Sequence, residues 1–179
     1  MAAKLTVPVF VAQQYRADEV MGAIARVQLG RMDGIIADLR RVRDAIAPAV
    51  ADGHAVRLAP GNDPAGDCGV MAAFQFDDEA RARRFTSAPD VGGFVLIDHG
   101  KHVFNQWEPL RAKRFAHHPA MNPFAFPQNR DLRAAYGDEV CPRTLAILRR
   151  TVFVPMDPDW DDAQVQTRTR VLRAAAAGC

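Results

Sequence analysis

Lysine occurs only three times in this chain of 179 residues, at Lys4, Lys101 and Lys113, while arginine supplies the other 20 of its 23 cations. Cysteine is just as sparse. Cys68, Cys141 and Cys179 are far apart, odd in number and in no C-x-x-C arrangement, which excludes a disulfide framework and a cysteine zinc site and suits a reducing, cytoplasmic setting. An excess of one charge is also missing: 23 cations against 21 anions leave +2, too near neutral to argue for nucleic acid. No stretch approaches the roughly 20 apolar residues that a membrane span needs. Leu5 to Ala12 is apolar, but Pro8 interrupts it and Gln13-Gln14 follows without a small-residue cleavage pattern, so a buried or partner-facing strand is expected there instead of a signal core.

What is present is ordinary globular material, 49% hydrophobic and 25% charged, long enough to build one domain around its own core. From Asp18 to Ala47, Val20, Met21, Ile24, Val27, Ile35, Ile36, Leu39, Val42 and Ile46 recur at helical spacing. Asp18 and Glu19 favour the start of this helix, and Pro48 is expected to mark its end. At 1.5 Å per residue it would be about 45 Å long, more than a domain of this size requires. Gly22, Gly30 and Gly34 weaken it, which implies close packing on one face or a break near Gly30.

Shorter elements follow. Strands are expected over 54–58, 70–76, 94–98 and 151–156, and helices over 77–87, 143–150 and 161–177. The spacing of Pro109, Pro119, Pro123 and Pro127 predicts a mostly irregular segment over 99–140, and segments of that length usually serve a function or a partner. The expected organisation is an extended segment over 1–17, a long interface helix over 18–47 and a small domain over 48–179. The fold class is α+β, a long N-terminal helix followed by a small α/β sandwich.

Familiar chemical constellations are weak. The loop Gly61 to Gly69 lacks the Lys-Ser/Thr pair of a phosphate loop, and Asp67 would repel phosphate, so it reads as a turn. His99, His102, His117 and His118 cluster in sequence, but adjacent histidines rarely aim at one ion and no carboxylate stands at a ligand spacing; no metal is expected. No cysteine or serine has the surroundings of a nucleophile. Arg40, Arg41 and Arg43 read as a solvated helix face.

Several segments taken together are more informative. Gln14-Tyr15-Arg16-Ala17-Asp18-Glu19, then Gly22-Ala23, then Gln28-Leu29-Gly30-Arg31-Met32-Asp33, resembles the N-[FY]-R-M-[ST]-E…GA…QL-x-[KR]-[LM]-D signature of the DegT/StrS sugar aminotransferases, fold-type I enzymes that use pyridoxal phosphate (PLP). His102-Val103-Phe104-Asn105-Gln106-Trp107-Glu108-Pro109 is similar to that family's H-V-[YF]-x-x-W-[DE]-P segment, and His117-His118-Pro119-Ala120-Met121-Asn122 continues it. Cys141-Pro142-Arg143-Thr144-Leu145 and Val154-Pro155-Met156-Asp157-Pro158-Asp159-Trp160 resemble its closing C-P-x-[TS]-L…[VI]-P-[LM]-x-P-x-W motifs. Each motif alone is weak; the ordered set is specific.

The resemblance covers the C-terminal half of such an enzyme and implies the fold of that domain. In the family the cofactor lysine lies in an earlier segment ending G-E-G-G, and an acidic residue holds the pyridinium nitrogen; neither segment occurs within these 179 residues. The lysine binds the cofactor covalently and moves the substrate proton, so a chain without it should not transaminate alone. The resemblance therefore implies a small, non-lysine subunit of a split aminotransferase. PLP would be held mainly by a lysine-bearing partner chain in a hetero-oligomer, with amino transfer from Glu or Gln to a keto sugar, cyclitol or natural-product ketone. The alternatives are a non-catalytic, degenerate paralogue acting as scaffold or regulator, and a fragment of a longer enzyme. By residue, the resemblance places Gln14 (Asn in the family) and Arg16 near the cofactor phosphate, and His102, Trp107, His117, His118 and Asn122 near the substrate. The same side chains could instead hold the loop together, and Arg16 could anchor the long helix through a salt bridge.

Overall fold

The computed structural model describes residues 17–51, 56–99, 103–113, 118–131 and 137–179. They form two compact units, one from Ile97–Leu145 and the other from Ala17–Leu96 with Ala146–Cys179. The expected extended segment over 1–17 lies outside the described residues up to Arg16.

In the second unit, α1 (Glu19–Val50) is one unbroken helix of 32 residues. Asp18 caps it, its carboxylate accepting from the Met21 N–H at 2.7 Å, which satisfies one of the donors that a helix start leaves unpaired. Of the two expectations for the glycines, close packing or a break near Gly30, the break does not occur. The end expected at Pro48 is also corrected: Pro48 sits inside the last turn, and the Ala51 N–H still reaches the Ala47 carbonyl at 3.0 Å. A proline so close to the end forfeits a single ladder bond, a cost that burial of Ile46, Ala47 and Val50 offsets.

Four antiparallel strands form one sheet in the order β1-β2-β4-β3, with β1 Val56–Leu58, β2 Met71–Phe76, β3 Phe94–Val95 and β4 Thr151–Pro155. Alternation decides the faces. Ala72, Phe74 and Phe76 of β2 are buried with Val152 and Val154 of β4, to which Ala72 and Phe74 are directly paired. Helix α2 (Glu79–Ser87) inserts Phe85 here, its ring 5.1 Å from Phe76 and 6.0 Å from Phe74. Helix α5 (Asp162–Ala177), opened by a capping box between Asp161 and Gln164, packs along α1 and buries Val165 and Leu172. The α+β class holds.

The strand expected over 94–98 stops after two residues and turns into a single 3-10 turn over Leu96–Asp98. Its partner runs out. Val95 pairs with Val152, and the next position on β4, Thr151, begins that strand with its hydroxyl already donating to the Ile147 carbonyl of α4 (Pro142–Arg149).

The solvated face expected for Arg40, Arg41 and Arg43 is likewise corrected. Arg40 donates to the carbonyls of Asp67 and Ala65 at 2.7 and 2.8 Å, Arg43 pairs with the Asp67 carboxylate at 2.8 Å, and Arg41 donates to the Trp160 carbonyl at 2.9 Å. These arginines fasten the 59–70 loop and the start of α5 to α1. Gly69 is required where the loop meets the helix: with φ of +76°, an added Cβ would come within 2.9 Å of the Leu39–Arg40 backbone.

Candidate functional site

Of the residues singled out by the motif series, Gln14, Arg16, His102 and His117 lie outside the described residues. Trp107, His118 and Asn122 all fall in the unit Ile97–Leu145. Proline explains why this stretch is built from turns: Pro109, Pro119, Pro123 and Pro127 supply no N–H, so only short helical pieces form, α3 over Glu108–Arg111 and single 3-10 turns beginning at Phe104, Pro119, Pro123 and Pro127.

Trp107 precedes α3 and is half-buried; its carbonyl accepts from the N–H groups of Leu110 and Arg111, both at 3.0 Å. His118 is exposed, and its Nδ1 accepts from the Ala120 N–H at 3.2 Å. Asn122 caps the following turn by accepting from the Phe124 N–H at 3.1 Å, and its amide donates to the Lys113 carbonyl at 2.9 Å. The His118 and Asn122 side chains thus hold local turns. Each of these bonds is between residues at most nine apart in sequence.

A residue that sequence reasoning missed is Asn105. It is only 5% exposed; its amide donates to the Asp138 carbonyl at 2.7 Å, and its Oδ1 is buried without a hydrogen-bond partner. Asp138 is held a second time, its carboxylate pairing with Arg111 at 2.7 Å. Gln106 adds a donor to the Ile97 carbonyl at 3.0 Å. The signal was available, since an Asn beside apolar Val103 and Phe104 is placed where burial demands partners.

Among the described residues, the fit to pyridoxal phosphate fails on a definite point. Lys113, the one lysine among them, is exposed on a left-handed turn with φ of 51°. Three cavities of about 440, 380 and 500 Å³ occur in the other unit, and none presents a lysine. The first, between α1 and α5, is bordered by Arg170 and Arg173. In the second, Arg43 is already paired with Asp67. In the third, Arg168 lies over the Trp160 ring at 5.6 Å and donates to the carbonyls of Asp90 and Val91. Burial lowers the Arg168 pKa, opposed by Asp90. No group of three or more His, Cys, Asp or Glu among the described residues could hold a metal ion, and no described helix is long and apolar enough to cross a membrane.

No family model matches this chain. Its structure is similar to that of 3-amino-5-hydroxybenzoic acid synthase, with a TM-score of 0.57 and 17% identity over 93% of this chain. The match takes in 40% of the synthase chain, so this sequence spans about two fifths of that protein's length. The long helix with its four-stranded antiparallel sheet is therefore a fold shared with part of that enzyme.

Proposed function

We propose that this chain is the small, non-lysine subunit of a split PLP-dependent aminotransferase, completing an active site whose cofactor is held by a lysine-bearing partner. The observation that carries this reading is the apolar stripe of α1. From Leu39 onward the stripe is buried, through Val42, Ile46 and Val50. The same helical face continues toward the N-terminus through Met32, Ile24 and Met21, which are 45%, 58% and 55% exposed. An apolar face that runs on in line from the core into solvent is a surface shaped for cover by another domain. The ordered aminotransferase-like motifs name that domain, and the shared fold with two fifths of a synthase whose product bears an amino group supports it.

The motif resemblance suggests the division of labour. The partner supplies the amine that binds the cofactor and shuttles the proton. This chain supplies polar groups: Gln14 and Arg16 toward the cofactor phosphate, and His102, Trp107, His117, His118 and Asn122 toward the substrate. The substrates are Glu or Gln as donor and a keto sugar, cyclitol or natural-product ketone as acceptor, in the cytoplasm.

Coexpression with a lysine-bearing relative tests the proposal. A complex that co-purifies, with more cofactor absorbance or turnover than the relative shows by itself, is the expected result; failure of the two chains to associate refutes it. A second reading, a scaffold or regulator without a catalytic part, is favoured by the local turn-holding bonds of His118 and Asn122. Substituting Gln14, Arg16 and Asn122 separates the two. Lost turnover with association retained supports site completion, whereas unchanged turnover supports scaffolding.

A further inference from the structure

A second face of α1, rotated away from the stripe just described, carries Val20, Ala23, Val27, Gly30, Gly34 and Ala37 at alternating spacings of three and four residues, the repeat of a helix-packing seam. All six are exposed. A Cβ built on Gly30 or Gly34 meets nothing within 4 Å, so no described residue explains these glycines sterically. Each costs the helix about 1 kcal/mol relative to Ala. What a glycine gives in return is close approach, since the distance between packed helix axes is set by the side chains at the contact.

We infer that this seam docks a second copy of the same chain, the two α1 helices lying antiparallel. The occupant is identified by self-complementarity of shape and charge. In the register that sets Val27 over Gly30 of the second copy, two-fold symmetry sets Gly30 under the other Val27. Ala23 then meets Gly34, and Val20 meets Ala37: the larger side chains fall on the smaller residues throughout. The same register brings Arg26, beside the seam, opposite Asp33 of the copy, and does so twice. Neither Arg26 nor Asp33 makes an ion pair with any described residue, so both are available. Reversed helix dipoles also favour the antiparallel arrangement. This surface is distinct from the Met21–Ile24–Met32 stripe, so the inference stands whether or not that stripe meets an aminotransferase partner.

The test needs only the full chain under reducing conditions, which remove disulfide dimers through the free cysteines. Sedimentation equilibrium at about 100 μM chain, a range suited to a modest interface, should give a mass of twice 19.7 kDa. Arg26→Asp and Asp33→Arg each turn two attractions into two repulsions and should weaken the dimer roughly 10- to 30-fold. Combined, they restore opposite charges across the axis and should recover wild-type association. Gly30→Leu, which favours the helix itself, should abolish the dimer while circular dichroism stays unchanged. A monomer at that concentration overturns the inference. So does a dimer indifferent to the single charge reversals, or one that the double reversal fails to rescue.

Discussion

The Asn105 amide donates to the Asp138 carbonyl at 2.7 Å, while the Asp138 carboxylate is held by Arg111 at the same distance. The two bonds to Asp138 thus join residues 33 and 27 positions apart in sequence. Asn105→Ala removes a buried donor and leaves the Asp138 carbonyl short of a partner. The expected cost is about 1–3 kcal/mol. It should be read by hydrogen exchange as faster exchange over residues 103–113 and 137–140, with α1 protection over 39–50 unchanged.

The core of the other unit depends on one aromatic contact. Phe85, fully buried, packs its ring between Phe74 and Phe76 at 6.0 and 5.1 Å. Phe85→Ala should therefore cost about 3–5 kcal/mol, from lost transfer energy and the cavity left behind. Urea denaturation is the measurement, and the midpoint should fall with little change in slope. A loss below about 1 kcal/mol would mean that this core repacks freely.

Much of this architecture was legible in the sequence. Alternation of Ala72, Phe74 and Phe76 marks β2, and the helical period of Leu39, Val42 and Ile46 marks the buried part of α1. Local signals also placed Asp18 and Asp161 at helix starts. The roles of Arg40, Arg41 and Arg43 were not legible, because their partners lie at Ala65, Asp67 and Trp160, up to 119 positions away, and pattern within a helix carries no record of them. Pro48 misled for a related reason: burial of its neighbours outweighs a local breaker. The site was harder still: His118 and Asn122 hold only local turns, while Asn105, which no motif marked, is held by Asp138, 33 positions away.

The cysteines give a chemical prediction. The Cys179 thiol is half-buried, donates to the Ala175 carbonyl at 3.1 Å, and has its pKa pushed up by burial, an effect that Arg84 and Arg81 partly offset. Cys68 and Cys141 are exposed. Iodoacetamide at pH 8 should modify Cys68 and Cys141 first, with Cys179 last, as followed by peptide mass spectrometry. The linkage sign agrees: a thiol whose folded pKa is raised contributes stability below its unfolded pKa, and that contribution is lost as pH climbs through the folded pKa. Cys179→Ser should flatten this alkaline decline.

Arg168 ties α5 to the chain before β3 through the carbonyls of Asp90 and Val91, and covers Trp160. Arg168→Met keeps much of the stem but leaves two carbonyls unpaired. A loss of about 1–3 kcal/mol is expected by thermal unfolding. Arg168→Lys should recover less than half of it, because an ammonium cannot reproduce the guanidinium fork.

The central claim is that this polypeptide relies on another molecule for the amine that holds the cofactor. Incubating the purified chain, without any companion, with pyridoxal phosphate and reducing with borohydride tests that claim most directly. The expected result is no stoichiometric pyridoxyl adduct on Lys4, Lys101 or Lys113 by peptide mass spectrometry. One lysine labelled to completion at a one-to-one ratio would contradict the account.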